Sequence, residues 1–395
     1  MPELNIHPTI AGLEEKIIAF RRHLHQHPEL GFQEVETARY ILEQIEDVDL
    51  EIRHPVATTG IVATMRNGRG PCIALRADMD ALPIQETSNV PYRSVNDGVM
   101  HACGHDGHMA ILLGTLLALD RHRDQWQGVI KFIFQPSEEG NAGARHMLAE
   151  GALKDPDAEA IFGLHLWNYQ PFGTVGIRSG PVLAAADEFE IIVKGVGGHA
   201  AMPQGTIDAV YVASQLVVSL QSIVSRNLDP LESGVLTIGQ IQGGYNFNII
   251  ADKVTLKVTA RAYREEDRQI IKQRLKAVCE GISATYGAAV ELDYRDGYPP
   301  TVNDPAMTEV TARAARRVAG DAVGEPFLSM GGEDMAYFLQ AVPGCFFFLG
   351  SAKPEHKPAE VPHHCSHFDF DEGALVVGAS VFIEIVREML PVPPP

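Results

Sequence analysis

Short apolar runs alternating with helical segments constrain this chain more than any other feature. Cys72-Ile73-Ala74-Leu75 and Val129-Ile130-Lys131-Phe132-Ile133-Phe134 read as buried strands, with a helix over 107–119 between them. Ile161-Phe162-Gly163-Leu164-His165-Leu166 adds a further strand. The first 25 or so residues, with Ile10, Leu13, Ile17, Ile18 and Phe20 ahead of Arg21-Arg22, predict an amphipathic helix, and 34–45 a second. The alternation implies an α/β layer with helices on both faces of the sheet.

The texture changes near residue 185. Phe189-Glu190-Ile191-Ile192-Val193-Lys194 and Val254-Thr255-Leu256-Lys257-Val258-Thr259 read as half-buried strands and frame helices at about 206–225 and 265–285. With a Gly-rich link from Gly239 to Gly244, they predict a small sandwich of helices on an antiparallel sheet. After Tyr298-Pro299-Pro300 the first texture returns: a helix near 305–319, the strand Phe346-Phe347-Phe348-Leu349, a closing helix over 371–389, and a proline-rich end over 391–395 expected to fray. A length of 395 residues exceeds one ordinary core. The expected organisation is therefore a larger domain from 1–185 and 301–395, into which 186–300 is inserted.

Four segments carry candidate chemistry. In His101-Ala102-Cys103-Gly104-His105-Asp106-Gly107-His108, a Gly-containing turn lets the Cys103 thiolate and the His105 imidazole converge. Metals take such donors, and Asp106 or a backbone carbonyl could orient the imidazole, while His101 and His108 suit capping or packing. Gln135-Pro136-Ser137-Glu138-Glu139-Gly140 follows a strand directly, at the carboxyl end where α/β sheets bind ligands. Neighbouring side chains diverge, so one glutamate can hold a metal while the other faces water, although such a pair also suits a helix start. His165 lies in an apolar strand, and Pro362-His363-His364-Cys365-Ser366-His367 precedes the closing helix.

Each segment alone has an ordinary structural explanation. Together, Cys103, His105, Glu139, His165 and one of His363, His364 or His367 collect thiolate, imidazole and carboxylate from separate stretches. That inventory suits two closely spaced divalent ions with the thiolate as bridge. Glu138 could then take a proton from water and deliver it to a leaving amine.

Composition narrows the partners. Thirty-two basic against 51 acidic side chains give a net charge of -19, which disfavours nucleic acid. The apolar runs are too short to span a membrane. Met1-Pro2-Glu3-Leu4-Asn5 does not open a secretory signal, and the five scattered cysteines suggest no disulfide framework. A reducing, cytoplasmic setting is expected.

These segments resemble the aminoacylase and carboxypeptidase-like metallohydrolases, in the branch containing hippurate hydrolase and the plant auxin-conjugate amidohydrolases. The match runs in order through residues 100–108, 135–140 and 163–165, then Gly197-Gly198-His199-Ala200-Ala201, Gly331-Gly332-Glu333-Asp334 and 364–370. The resemblance implies a mixed-sheet α/β catalytic domain holding two divalent metals (Mn, Zn, Co or Ni). It also implies an inserted α+β sandwich lid that mediates dimerisation, giving a homodimer or homotetramer. Cys103 would bridge the metals, with His105 and His165 completing one site, Glu139 and His364 the other, and Glu138 as general base. Asp80, in Arg76-Ala77-Asp78-Met79-Asp80, falls where the family has an acidic residue supporting the ligands. His199 would polarise the scissile carbonyl, and Asn248 and Arg261 would hold the substrate carboxylate or carbonyl. Two positions depart from the family pattern. His363 and Ser366 stand where Leu and Pro are usual around the last ligand, so His364 is chosen by its distance to Phe368-Asp369-Phe370, with His363 as the alternative. Ala251 replaces a usual Pro after the lid asparagine.

The expected activity is hydrolysis of a small-molecule N-acyl or N-aroyl amino acid, with dipeptide hydrolysis by the same residues as the rival. A thiol hydrolase is disfavoured because Cys103 and His105 share one turn, whereas a base normally comes from elsewhere in the fold. A non-catalytic metal-binding protein would not need Glu138 beside Glu139.

Overall fold

Three strands, Cys72–Asp78, Gly128–Gln135 and Gly344–Ala352, are buried at every residue, as strands covered on both faces must be. In the computed structural model, which describes residues 3–393, they belong to an eight-stranded mixed sheet. Its order is Glu51–Val56, Gly60–Asn67, Gly128–Gln135, Cys72–Asp78, Ala160–Pro171, Gly344–Ala352, Val175–Gly176, Val323–Gly324. The central four, from Gly128–Gln135 to Gly344–Ala352, are parallel, while Gly60–Asn67 is antiparallel to Gly128–Gln135. Parallel pairing brings their carboxyl ends to one edge. Asp78 pairs with Gln135, and Arg76 with Gly163, so two residues further along His165 stands level with Asp78. That register assembles the site.

The described residues divide into two units. The first runs to Val182 and includes Val302–Leu328 and the chain from Asp334 onward; the second comprises Leu183–Thr301 and Ser329–Glu333. In the first, the helices His105–Arg121 and Gly373–Met389 are buried along most of their length. They share one core with Glu14–Gln26, Pro305–Ala319 and the sheet. Fully buried Phe132, Phe134, Phe162 and Phe347 anchor that core, each contributing about 1.5–3 kcal/mol of apolar burial. Pro305–Ala319 starts where Asp304 accepts from the Ala306 and Met307 amides, with Pro305 as its first residue.

The second unit is a four-stranded antiparallel sheet, ordered Gly234–Gly243, Lys253–Ala262, Ala185–Lys194, Ala289–Tyr298. Phe189, Ile191 and Val193 alternate toward a core shared with the helices Ala209–Asn227 and Glu265–Tyr286.

Two expectations change. The first helix is split into Pro8–Ala11 and Glu14–Gln26, with residues 1–2 outside the described part. Pro8 pushes His7 into extended backbone (ψ 129°), and Gly12 closes the first turn. The glycines expected to form a link instead lie largely in the strand Gly234–Gly243. Gly239 is its bulge, since Ile238 pairs with Val258 and Gln240 with Lys257, leaving Gly239 unopposed. Of the proline-rich end, residues 391–393 carry no regular structure, and 394–395 lie outside the described part. Among the described residues, no helix is long and apolar enough to cross a membrane, and the five cysteines are unpaired.

Candidate metal centre

The His105–Arg121 helix is entered through Gly104, whose φ of 94° turns Cys103 and His105 toward one space. Thiol and imidazole meet there with His165: the donor atoms of Cys103, His105 and His165 lie within 4.8 Å of one another. Both rings are oriented by carbonyls. His105 Nδ1 donates to the Asp80 carbonyl at 2.8 Å and His165 Nδ1 to that of Leu166 at 2.6 Å, leaving Nε2 of each with a free lone pair. His165 Nε2 lies 3.6 Å from Cys103 Sγ. Asp106, considered above as the orienting residue, does not serve His105. It is buried against Arg21 (2.8 Å) and His25 (2.9 Å), because a helical side chain one position on points to a different face.

The glutamate pair is presented by a turn in which Ser137 adopts a φ of 53°. That conformation is held from outside, since the Ser137 amide donates to Glu34 at 2.9 Å. Asp80 grips the next two residues, its two carboxylate oxygens accepting from the Glu138 and Glu139 amides at 2.9 Å each. Glu138 and Glu139 gather with His105 within 4.8 Å, and Glu139 with Cys103 and His364.

His363 and His364 are separated by their contacts. The His363 ring is fully engaged: Nδ1 donates to the Cys103 carbonyl (3.2 Å) and Nε2 accepts from the Asn168 amide (3.3 Å). His364 adopts a φ of 64°, donates its amide to the Ala102 carbonyl at 2.8 Å, and brings Nε2 to 3.1 Å from Glu139 Oε1. His367, the third histidine of that segment, is exposed.

The chemistry of this donor set fits divalent cations. His105 Nε2 is buried without a hydrogen bond, and Glu139 Oε1, though near His364, is not aligned for one. Such orphaned polar atoms cost about 1–3 kcal/mol each, a cost a bound ion removes. Burial, with Glu139, Glu138 and Asp78 nearby, pushes the Cys103 thiol well above its usual range. Burial also opposes charge on His105, but Asp78, Asp80 and Glu139 outweigh it and raise its pKa to about 10. Even with His105 charged, the carboxylates around it leave the cluster short of positive charge, and a bound cation would take the place of the His105 Nε2 proton. The same surroundings speak against a thiol nucleophile, because burial and the nearby carboxylates hold the Cys103 thiol well above its usual range, and burial holds His165, the imidazole 3.6 Å from its sulfur, well below its own.

Several residues named in the sequence segments turn out to support the site, a role the sequence did not assign to them. Arg76 donates to Asp78 (2.7 Å), Gln135 (2.7 Å) and Asp334 (3.0 Å), and the Asp334 amide donates to Glu138 Oε1 at 3.4 Å. His108 links Asp78 (2.7 Å) to the Leu166 amide (2.9 Å). The spacing-two pattern Arg76, Asp78, Asp80 was the available signal, since alternate strand residues share a face. His101 is buried, and burial lowers its pKa to about 4.

The remaining candidates belong to the second unit. His199, on the strand Gly198–His199, pairs with Ile249, and the neighbouring Ala200 amide donates to the Asn248 carbonyl at 3.1 Å, so His199 and Asn248 share one exposed ribbon. Arg261 lies on Lys253–Ala262, half-buried, with Nε donating to Thr259 at 3.2 Å; burial lowers its pKa.

A mixed α/β sheet at whose edge a thiol, imidazoles and carboxylates gather, with a second carboxylate beside them, defines a metal-dependent amide hydrolase. The chain belongs to peptidase family M20/M25/M40, whose profile matches residues 74–388. It is 41% identical to an N-acetyl-L-cysteine deacetylase of Bacillus subtilis (strain 168), over 97% of this chain and 90% of that protein. To the IAA-amino acid hydrolase ILR1-like 2 of Arabidopsis thaliana it is 41% identical, over 95% of this chain and 85% of that protein. Its fold is similar to the crystal structure of Bacillus subtilis YXEP, a dinuclear metal binding peptidase of the M20 family. There the TM-score is 0.84 and the identity 37%, covering 96% of this chain and 99% of that one.

Proposed function

We propose that the chain hydrolyses N-acyl or N-aroyl amino acids of the hippurate type to a carboxylate and a free amino acid. One observation carries the reading: two donor triads, Cys103–His105–His165 and Cys103–Glu139–His364, share a sulfur, and Glu138 stands beside them. Two divalent ions (Mn, Zn, Co or Ni) held there would supply Lewis acidity toward the amide carbonyl and toward water. Cys103 would be shared between them, with His105 and His165 holding one and Glu139 and His364 the other. Glu138 accepts the proton of the attacking water and passes it to the leaving nitrogen. Asp80 and the Asp334 amide keep Glu138 in place. His199 is assigned to the scissile carbonyl, and Asn248 and Arg261 to the substrate carboxylate or carbonyl. The second unit is assigned as a lid through which a homodimer or homotetramer forms, and the setting is cytoplasmic. The names of the similar deacetylase and IAA-amino acid hydrolase support the substrate class.

The test is a panel of N-acetyl, N-benzoyl and indole-acetyl amino acids set against unblocked dipeptides, with each metal restored after chelation. Turnover of the acylated substrates, lost with the metal, is expected. Turnover confined to unblocked dipeptides, or insensitive to a chelator, refutes the proposal.

A further inference from the structure

A second group of imidazoles stands outside the metal centre. The helix Glu14–Gln26 ends in His23-Leu24-His25-Gln26-His27, and Pro28 stops it there. His25 turns inward, to Asp106 at 2.9 Å and Glu86 at 3.3 Å. His23 and His27 turn outward and are exposed. The His27 amide still donates to the His23 carbonyl at 3.2 Å, so the two residues stand one turn apart on the same face. Their ring centroids are 4.7 Å apart.

That separation is the one a shared ion requires. An imidazole nitrogen binds zinc at about 2.0–2.1 Å, which places the centroids of two rings on one ion roughly 4.5–5.3 Å apart in square or tetrahedral geometry. Pairs of histidines four apart on a helix face are a recurrent zinc-binding arrangement for this reason. Tyr40 holds one ring ready: it stacks on His23 at 3.8 Å with the planes 16° apart, and Phe20 braces it edge-on at 6.4 Å. Among the described residues, neither imidazole hydrogen-bonds to another protein group. Partial burial, then His27, lowers the His23 pKa against the opposing charge of Glu43, so the ring is neutral at pH 7 and has a lone pair to give.

The surroundings favour a cation. Both rings line a surface depression of about 390 Å³, which also carries three carboxylates, Glu29, Glu36 and Glu43, against the single guanidinium of Arg39. Glu43 bonds Arg39 through one carboxylate oxygen, which leaves the second for an ion. The excess negative charge draws cations of any kind, and the imidazoles select among them. Mg²⁺ and Ca²⁺ take oxygen ligands, whereas Zn²⁺, Cu²⁺ and Ni²⁺ take imidazole nitrogen. We propose that His23 and His27 chelate one such divalent cation at a site that shares no residue with the centre built on Cys103. Water, with the exposed Glu43 carboxylate from the same depression, completes its shell.

The test counts metal on the full chain. Wild type, His23→Asn and His27→Asn are dialysed at one fixed concentration of free Zn²⁺ and analysed for zinc per chain. The centre built on Cys103 contributes equally to all three, so each variant should hold one equivalent less than wild type. Cu²⁺ should fill the site at a lower concentration than Zn²⁺, and a large excess of Mg²⁺ should displace neither. Both positions are exposed, so the variants should fold as wild type does, with an equal unfolding midpoint after chelation and unchanged hydrolysis by the metal-loaded proteins. His23→Gln and His27→Gln repeat the count with a second side chain. Zinc content equal to that of wild type in the variants at either position overturns the chelate. Displacement of that zinc by Mg²⁺ overturns it as well, since carboxylates alone would then be holding the ion.

Discussion

Asp80 offers the sharpest test of how the two glutamates are held. Its carboxylate is 2% exposed and accepts from the amides of Glu138 and Glu139, one oxygen each, at 2.9 Å. In Asp80→Ala both donors lose their acceptor, at about 1–3 kcal/mol per buried unpaired group, or roughly 2–6 kcal/mol together. An opposing contribution comes from removing one negative charge beside Asp78, Glu138 and Glu139. Asp80→Asn removes the same charge but keeps one carbonyl oxygen for one amide, so the difference between the variants isolates hydrogen bonding. The alanine variant should be less stable than the asparagine variant by about 1–3 kcal/mol, measured by urea denaturation of the metal-free proteins so that metal binding does not add to the result. Both should lose turnover, because Glu138 is no longer fixed against its water. Equal stability of the two variants within about 0.5 kcal/mol, together with wild-type kcat, refutes the reasoning.

Three further outcomes are expected. Glu138→Gln should retain metal by elemental analysis while kcat falls about 10²–10⁴-fold, whereas Glu139→Ala should lose metal; full metal content in Glu139→Ala contradicts the ligand assignment. Gly104→Ala meets nothing nearer than 3.6 Å, so its cost is backbone strain at φ 94°, about 1–3 kcal/mol by urea denaturation, and an unchanged midpoint would show that strain to be absent. Burial raises the Glu34 pKa from 4.5 to about 7, against the opposing hydrogen bonds from Thr59 and Ser137. Folding therefore favours its protonated form, a contribution fully present below pH 4.5 and lost as pH rises through about 7. Glu34→Gln, neutral throughout, should gain stability relative to wild type across that window by up to roughly 3 kcal/mol, and a pH-independent difference would refute the shift.

Much of the fold was legible because periodicity is a local property. Residues 305–319, 346–349 and 265–285 read correctly as helix, strand and helix, since side-chain alternation of two or 3.6 residues needs no knowledge of the partner. Cys103 with His105, and Glu138 with Glu139, were legible for the same reason: each pair is close in sequence, the first at the start of the helix His105–Arg121 and the second just after the strand Gly128–Gln135. Gly239 was misjudged because a bulge glycine and a loop glycine look alike until the opposing strand is known.

The sequence by itself determined the donor types and the short segments that carry them. Tertiary structure decided which atoms are free. His105 is oriented by a carbonyl 25 residues away, not by its neighbour Asp106, and that bond alone leaves Nε2 available. His363 and His364 are chemically identical in the chain. Only folding spends both nitrogens of one on Cys103 and Asn168 and turns the other toward Glu139. Hydrogen-bond satisfaction is a property of three-dimensional neighbours, and in a buried site it dictates which lone pairs remain to bind a cation.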